Sequence, residues 1–148
     1  MSIVLFREAV TTDIPQLIRF RKMLLSQEDN SSMDEAFRDY FDSSIADKSL
    51  VVWVAEDDGV VVSTVCFSLW RLAPRFENPS GLVAYMANVF TLPDYRRQGL
   101  ASKLVREAID DLKAQGILKI LLHASDMAKP MYESLGFVES KNYMSLKI

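Results

Sequence analysis

The chain has 148 residues, 49% of them apolar and 25% charged, with a formal net charge of −3. That length fits one domain (1–148) with a real hydrophobic core, and the charge leaves no broad electrostatic footprint for nucleic acid. One cysteine (Cys66) excludes an internal disulfide framework, and one cysteine with one histidine (His123) cannot build a common zinc site, so no metal is expected.

Ile3 to Glu8 alternates apolar and polar residues and reads as a first strand, with no leader-like apolar run before it. No apolar run approaches a membrane span, so no membrane association and a cytoplasmic location are expected. Thr12 is a candidate cap for a helix that tolerates Pro15 in its first turn and buries Ile14, Leu17, Ile18, Leu24 and Leu25. Ser32-x-x-Glu35 fits a capping box before a second helix with Met33, Phe37, Tyr40, Phe41 and Ile45 on its inner face, ending near Asp47. Leu50–Glu56 and Val60–Leu69 are valine-rich strands, and Asp58-Gly59 between them predicts a hairpin whose turn needs two positive φ angles. Cys66, inside an apolar run, reads as a packed thiol. Arg71 to Gly81, with Pro74, Asn78, Pro79 and Gly81, is a long loop.

Tyr85 to Thr91 reads as the fourth strand, broken by Leu92-Pro93-Asp94. Beyond it, Leu104, Val105, Ala108, Ile109 and Leu112 recur at helical spacing, and Gly116 fits that helix's C-terminal cap. Arg96, Arg97 and Gly99 therefore sit where a strand hands over to a helix N-terminus. Unpaired N–H groups, the positive end of the helix dipole and a glycine that admits close approach suit a phosphate or pyrophosphate there. The alternative is a basic turn that only caps a helix. Neither the Gly-Lys-Ser/Thr of a Walker loop nor a three-glycine dinucleotide fingerprint is present. Leu118–His123 reads as a fifth strand and Lys129–Leu135 as a short helix entered through Pro130 and ended by Gly136. Phe137-Val138 and Tyr143–Lys147 suggest a closing hairpin around Ser140-Lys141-Asn142. The resulting order, β-α-α-β-β-β-α-β-α-β-β, implies an α+β fold with a mixed sheet.

Arg96-x-x-Gly99-x-Ala101 resembles the Arg/Gln-x-x-Gly-x-Gly/Ala signature of the GCN5-related N-acetyltransferases. Downstream, Pro130 to Phe137 is similar to the family's Tyr-x-x-x-Gly-Phe element, with Tyr132, Gly136 and Phe137 in its places. The two blocks and their flanks cover the C-terminal half; the N-terminal half matches in its order of elements. The resemblance implies a mostly antiparallel sheet flanked by helices, whose fourth and fifth strands splay to admit acetyl-coenzyme A as co-substrate. It implies that Arg96, Arg97, Gln98, Gly99, Leu100, Ala101 and Ser102 hold the pyrophosphate. It further implies that the backbone of Val89, Phe90 and Thr91 pairs with the pantetheine amides, although a plain core strand explains those three residues equally. Ser125 stands where many relatives carry an asparagine, and its hydroxyl suits a pantetheine amide.

Acetyl transfer to an amine needs a held donor, a neutral amine, a stabilised carbonyl oxygen and a protonated leaving thiolate. Tyr132 matches the family's tyrosine, and a phenol titrating near ~10 can donate without first ionising. Its alternative is a core aromatic with its hydroxyl at the surface. Several relatives place a glutamate before the fourth-strand asparagine; here Ala87 precedes Asn88, so no base is assigned. His123 reads as a structural residue. Glu28, Asp29, Asp34, Glu35, Asp39, Asp42 and Asp47 form an acidic stretch that would draw a polycationic acceptor, or simply a solvated face. Tyr40, Trp70 and Phe76 are candidate walls for the acceptor. The expected activity is acetyl-coenzyme A-dependent N-acetylation of a small-molecule or peptide amine by direct attack, since no cysteine nucleophile with a partner histidine is evident. The alternative is a non-catalytic coenzyme A-binding sensor or subunit. Members of this fold often pair, and Phe137–Ile148 would offer an edge strand needing cover, so a homodimer is expected.

Overall fold

The computed structural model describes residues 3–148. Five strands form one sheet in the order of the chain: β1 (Val4–Glu8), β2 (Leu50–Asp57), β3 (Val60–Arg71), β4 (Leu82–Thr91) and β5 (Ile120–Leu122). The first four pair antiparallel and β5 joins β4 in parallel, the mixed sheet that the element order predicts. Among the described residues four α-helices flank it: α1 (Ile14–Leu24), α2 (Asp34–Ala46), α3 (Leu100–Ala114) and α4 (Lys129–Ser134).

Alternation along the central strands builds two cores. Leu50, Val52 and Val54 of β2, with Cys66 and Phe90, meet Ile14, Leu17, Ile18 and Phe20 of α1 and Phe41 of α2 on one face. Ala55, Val65, Phe67, Ala84 and Met86 meet Leu104, Val105, Ala108 and Leu112 of α3 on the other. Each such leucine or phenylalanine contributes about 1.5–3 kcal/mol on burial. Cys66 is buried, as its apolar context predicts, and burial pushes its thiol up to about 12.

Local signals are met unevenly. Asp58 (φ 50°) and Gly59 (φ 83°) make the predicted two-residue hairpin turn. Gly116 (φ 86°) follows the last turn of α3 in the cap position. Thr12 does not cap α1: it lies in a single 3₁₀ turn, Thr11–Asp13, and Asp13 organises the entry instead. The Asp13 carboxylate accepts from Val10 N–H at 2.7 Å and from both Arg7 Nη atoms at 2.8 and 3.1 Å. Nor does the Ser32–Glu35 box form. Ser32 gives its hydroxyl to Asn30 Oδ1 at 2.7 Å, and Met33 opens α2 without a side-chain cap. Among the described residues no strand follows α4, so the closing hairpin is absent. Val138, Met144, Leu146 and Ile148 of that segment are exposed. Three residues of parallel pairing on β5 and no glycine in Ser140-Lys141-Asn142 leave a two-stranded hairpin little to fold against.

Candidate active site

The sheet fails at one place, and the candidate site lies there. β4 pairs with β5 only over Ala84–Ile120, Tyr85–Leu121 and Met86–Leu122. Beyond Met86, β4 runs on to Thr91 bonded to β3 alone, so its far edge carries backbone groups with no strand beside them. The β3–β4 register also slips there: Cys66 faces Ala87 but Thr64 faces Phe90, so Asn88 and Val89 together oppose Val65. Asn88 takes the left-handed conformation (φ 54°) that such a bulge demands and that asparagine tolerates. Arg21 of α1 holds it, Nη1 donating to Asn88 Oδ1 at 2.8 Å.

Past Thr91, a 3₁₀ turn (Pro93–Tyr95) leads into the loop before α3. Tyr95 O–H donates to Asp57 Oδ2 at 2.8 Å, tying the loop to the end of β2; this bond raises the Tyr95 pKa. Arg96 folds back, its Nε donating to the Thr91 carbonyl at 2.9 Å with its guanidinium 5.5 Å over the Phe90 ring. Arg97 (φ 61°) and Gly99 (φ 72°) are both left-handed, and Gly99 is the residue that opens α3. Left-handed residues at a helix start, where the first-turn N–H groups form the positive end, suit an anion nest. A Cβ added at Gly99 would meet no protein atom within 4 Å, so backbone conformation alone demands glycine there. Beside the loop lies a cavity of about 250 Å³, lined by Thr91, Arg96, Arg97, Gly99, Leu100, Ala101, Ser102 and Met131. Gln98 turns its side chain to the Asp94 carbonyl at 3.3 Å and does not line it.

The strand residues divide. Phe90 is buried against Phe20, ring centroids 4.8 Å apart, while Val89 is half-buried against the other core. Thr91 Oγ1 lies 2.8 Å from Ser63 Oγ, which also donates to the Phe90 carbonyl at 3.0 Å. Side chains are thus spent on packing, and the free groups are those of the main chain. Tyr132 is buried in the α3-side core, edge-on to Phe137 at 5.9 Å; it does not itself line the cavity, although Met131 beside it in the chain does. Burial raises its pKa, so the hydroxyl stays protonated at neutral pH. Ser125 accepts from Ala128 N–H with its hydroxyl at 3.2 Å and starts the turn into α4; it does not line the cavity.

On the α1–α2 face, Trp70 stacks on Tyr85 at 4.9 Å and 7°. Phe76 is fully exposed in its loop and Tyr40 is exposed on α2. The acidic stretch is partly offset: Lys22 of α1 pairs with Asp34 at 2.9 Å, in a cleft that also takes Arg19 and Arg38. Neither Asn88 as a bulge residue nor Arg21 as its anchor shows in the sequence; the tolerance of asparagine for positive φ is the one local hint.

Comparison with known proteins agrees with this geometry. The model of the Acetyltransferase (GNAT) family matches residues 17–137. The chain belongs to that family. It is 29% identical over 77 residues to glucosamine 6-phosphate N-acetyltransferase of Trypanosoma brucei brucei, covering 52% of each chain. It is 41% identical over 66 residues to the [ribosomal protein bS18]-alanine N-acetyltransferase of Escherichia coli K12, covering 40% of this chain and 45% of that one. The chain spans about half the length of the curated relatives it matches. Among solved structures, a predicted acetyltransferase of Clostridium acetobutylicum crystallised with acetyl-coenzyme A superposes with a TM-score of 0.88 at 28% identity, over 98% of this chain and 96% of that one. The fold and the family read from two short motifs hold. Among the described residues no cluster of three metal-ligating side chains occurs, and no helix is long and apolar enough to cross a membrane.

Proposed function

We propose that the chain moves an acetyl group from acetyl-coenzyme A to a primary amine of a small molecule or peptide. The carrying observation is one continuous surface: the open edge of β4 beyond Met86 runs into the nest and cavity at the start of α3. An unpaired strand edge suits the amides of a pantetheine arm, and a helix N-terminus with two arginines suits a pyrophosphate. Acetyl-coenzyme A supplies an activated thioester. The curated relatives' names point to amine acceptors, a sugar phosphate in one and an alanine of a ribosomal protein in the other.

In this reading the neutral amine nitrogen attacks the acetyl carbon directly and the C–S bond breaks. Unpaired N–H groups of β4 steady the oxygen as charge develops, Tyr132 gives its hydroxyl proton to the departing thiolate, and the proton shed by the acylated nitrogen restores the tyrosine. Exposed carboxylates of α2 (Glu35, Asp39, Asp42) favour a cationic acceptor, the more so if it carries several charges. The exposed apolar residues of the C-terminal segment, Met144, Leu146 and Ile148 at alternate positions, favour a second copy as their cover. Incubation with acetyl-coenzyme A and a panel of sugar, polyamine and peptide amines, following free thiol, tests the activity. Release that rises with an amine is the expected result. Coenzyme binding without amine-dependent release would leave a sensor or subunit instead.

A further inference from the structure

The notch where β5 ends holds a pair of side chains that no step above has used. Tyr85 Oη lies 2.6 Å from His123 Nδ1, and their rings meet edge to face at 5.7 Å. Tyr85 is opposite Ser68 on β3 and beside Leu121 on β5, and His123 follows Leu122, the last residue of β5 to pair with β4. By the two-residue period of the strands, Tyr85, His123 and Trp70 share the sheet face that packs α1 and α2. Trp70, stacked on Tyr85, fixes the phenol ring. The imidazole is exposed and Tyr85 is half-buried, so the pair connects the inner end of the gap to solvent. An exposed hydrogen bond of this kind contributes little to stability. It does set two proton-carrying groups in series, three residues before the bulge at Asn88 that opens the donor's edge.

Resting on the acetyl-transfer reading, we infer that Tyr85 and His123 carry the proton away from the acceptor amine. An ammonium N–H passes its proton to Tyr85 Oη as the Tyr85 proton moves to His123 Nδ1. The products are a neutral amine, an unchanged tyrosine and an imidazolium, which releases its proton to the water around the exposed ring. No other reactant is needed. Tyr85 touches the substrate in this scheme, and His123 acts through it. On β4 the titratable group facing the imidazole is Tyr85, whose other face is covered by Trp70 of β3, which does not titrate. Asp126 in the same loop acts on Lys129, and among the described residues no ion pair involves His123.

The chain has a single histidine, so an imidazole contribution to the pH profile of the rate has one source. The test takes the amine that gives most thiol release and measures kcat/KM against pH for the wild type, His123→Gln and Tyr85→Phe. Coenzyme affinity is measured alongside by calorimetry. The expected result is a loss of about 10²-fold near neutral pH in both variants. The ascending limb should move up to the amine's own deprotonation, so that the rates converge near about pH 10, and coenzyme affinity should be unchanged. A limb left where the wild type has it in His123→Gln, or an equal loss at every pH, overturns the relay and leaves acetyl transfer standing. A wild type that turns over no amine on the panel overturns acetyl transfer itself, and the relay with it.

Discussion

Tyr132→Phe isolates one atom. The ring sits buried among the residues of the α3 side and edge-on to Phe137, and phenylalanine keeps both contacts. Burial alone raises the tyrosine pKa, with no hydrogen bond or charge acting on it, so removing the hydroxyl costs the fold less than about 1 kcal/mol. Any large effect must then come from chemistry. A general acid is worth about 10²–10⁴-fold in rate, which corresponds to about 2.7–5.5 kcal/mol of transition-state stabilisation. Thiol release under saturating amine and acetyl-coenzyme A gives kcat, and calorimetry gives coenzyme affinity. The expected outcome is a fall in kcat of that order with affinity within about twofold, because the lost interaction forms mainly in the transition state. A fall of less than about threefold at matched fold would refute the assignment and make Tyr132 a packing residue.

Gly99→Val places a β-branched residue at φ 72°, costing about 1–2 kcal/mol in the loop while α3 keeps its buried leucines. Loss of one N–H contact to a charged phosphate should weaken coenzyme binding about 10–100-fold, read by calorimetry; unchanged affinity in a folded variant would remove the loop from the site. Asp13→Asn breaks the paired bonds to Arg7 and should cost about 2 kcal/mol at neutral pH, a melting shift of about 4–8 °C. Burial pushes the Asp13 carboxyl up, but the bonds from Arg7 and Val10 outweigh it and hold it below its ordinary value. Its contribution is therefore complete above about pH 4 and lost as pH falls through the lowered folded value, so the two melting curves should converge in acid.

Features fixed by neighbours in the chain were legible in the sequence. The Asp58-Gly59 turn, the apolar stripe of α3, the cap at Gly116 and the strand-to-helix loop carrying Arg96 and Gly99 each depend on a few consecutive residues. Features fixed across the sheet were not. The Tyr85–His123 bond joins residues 38 apart, and nothing local distinguishes this histidine from one that merely ends a strand. Ser32 shows the converse failure, a correct local pattern lost to a nearer competitor when Asn30 takes its hydroxyl. The terminal alternation of Met144, Leu146 and Ile148 reads as a strand, but a strand needs a partner, and within the described chain none is paired with it.

The bulge is where fold and function become one question, and Asn88 separates them. Its φ of 54° is available to glycine and asparagine but strained for a β-branched residue. Asn88→Gly keeps the conformation and loses the side-chain bonds to Arg21 Nη1 and the Cys66 thiol, so it should cost about 1 kcal/mol and leave coenzyme affinity nearly intact. Asn88→Val loses the same bonds and also opposes the bulge. Relief of that strain requires β4 to recover the register it holds up to Ala87–Cys66, one residue out of step with Phe90–Thr64. A one-residue slip turns Val89, Phe90 and Thr91 over, moving Phe90 out of its contact with Phe20 and exchanging which backbone groups face the open edge. Coenzyme affinity should then fall at least tenfold for the valine variant alone. Equal affinity in the two variants would mean that the donor does not lie along β4 beyond Met86, whatever the loop before α3 binds.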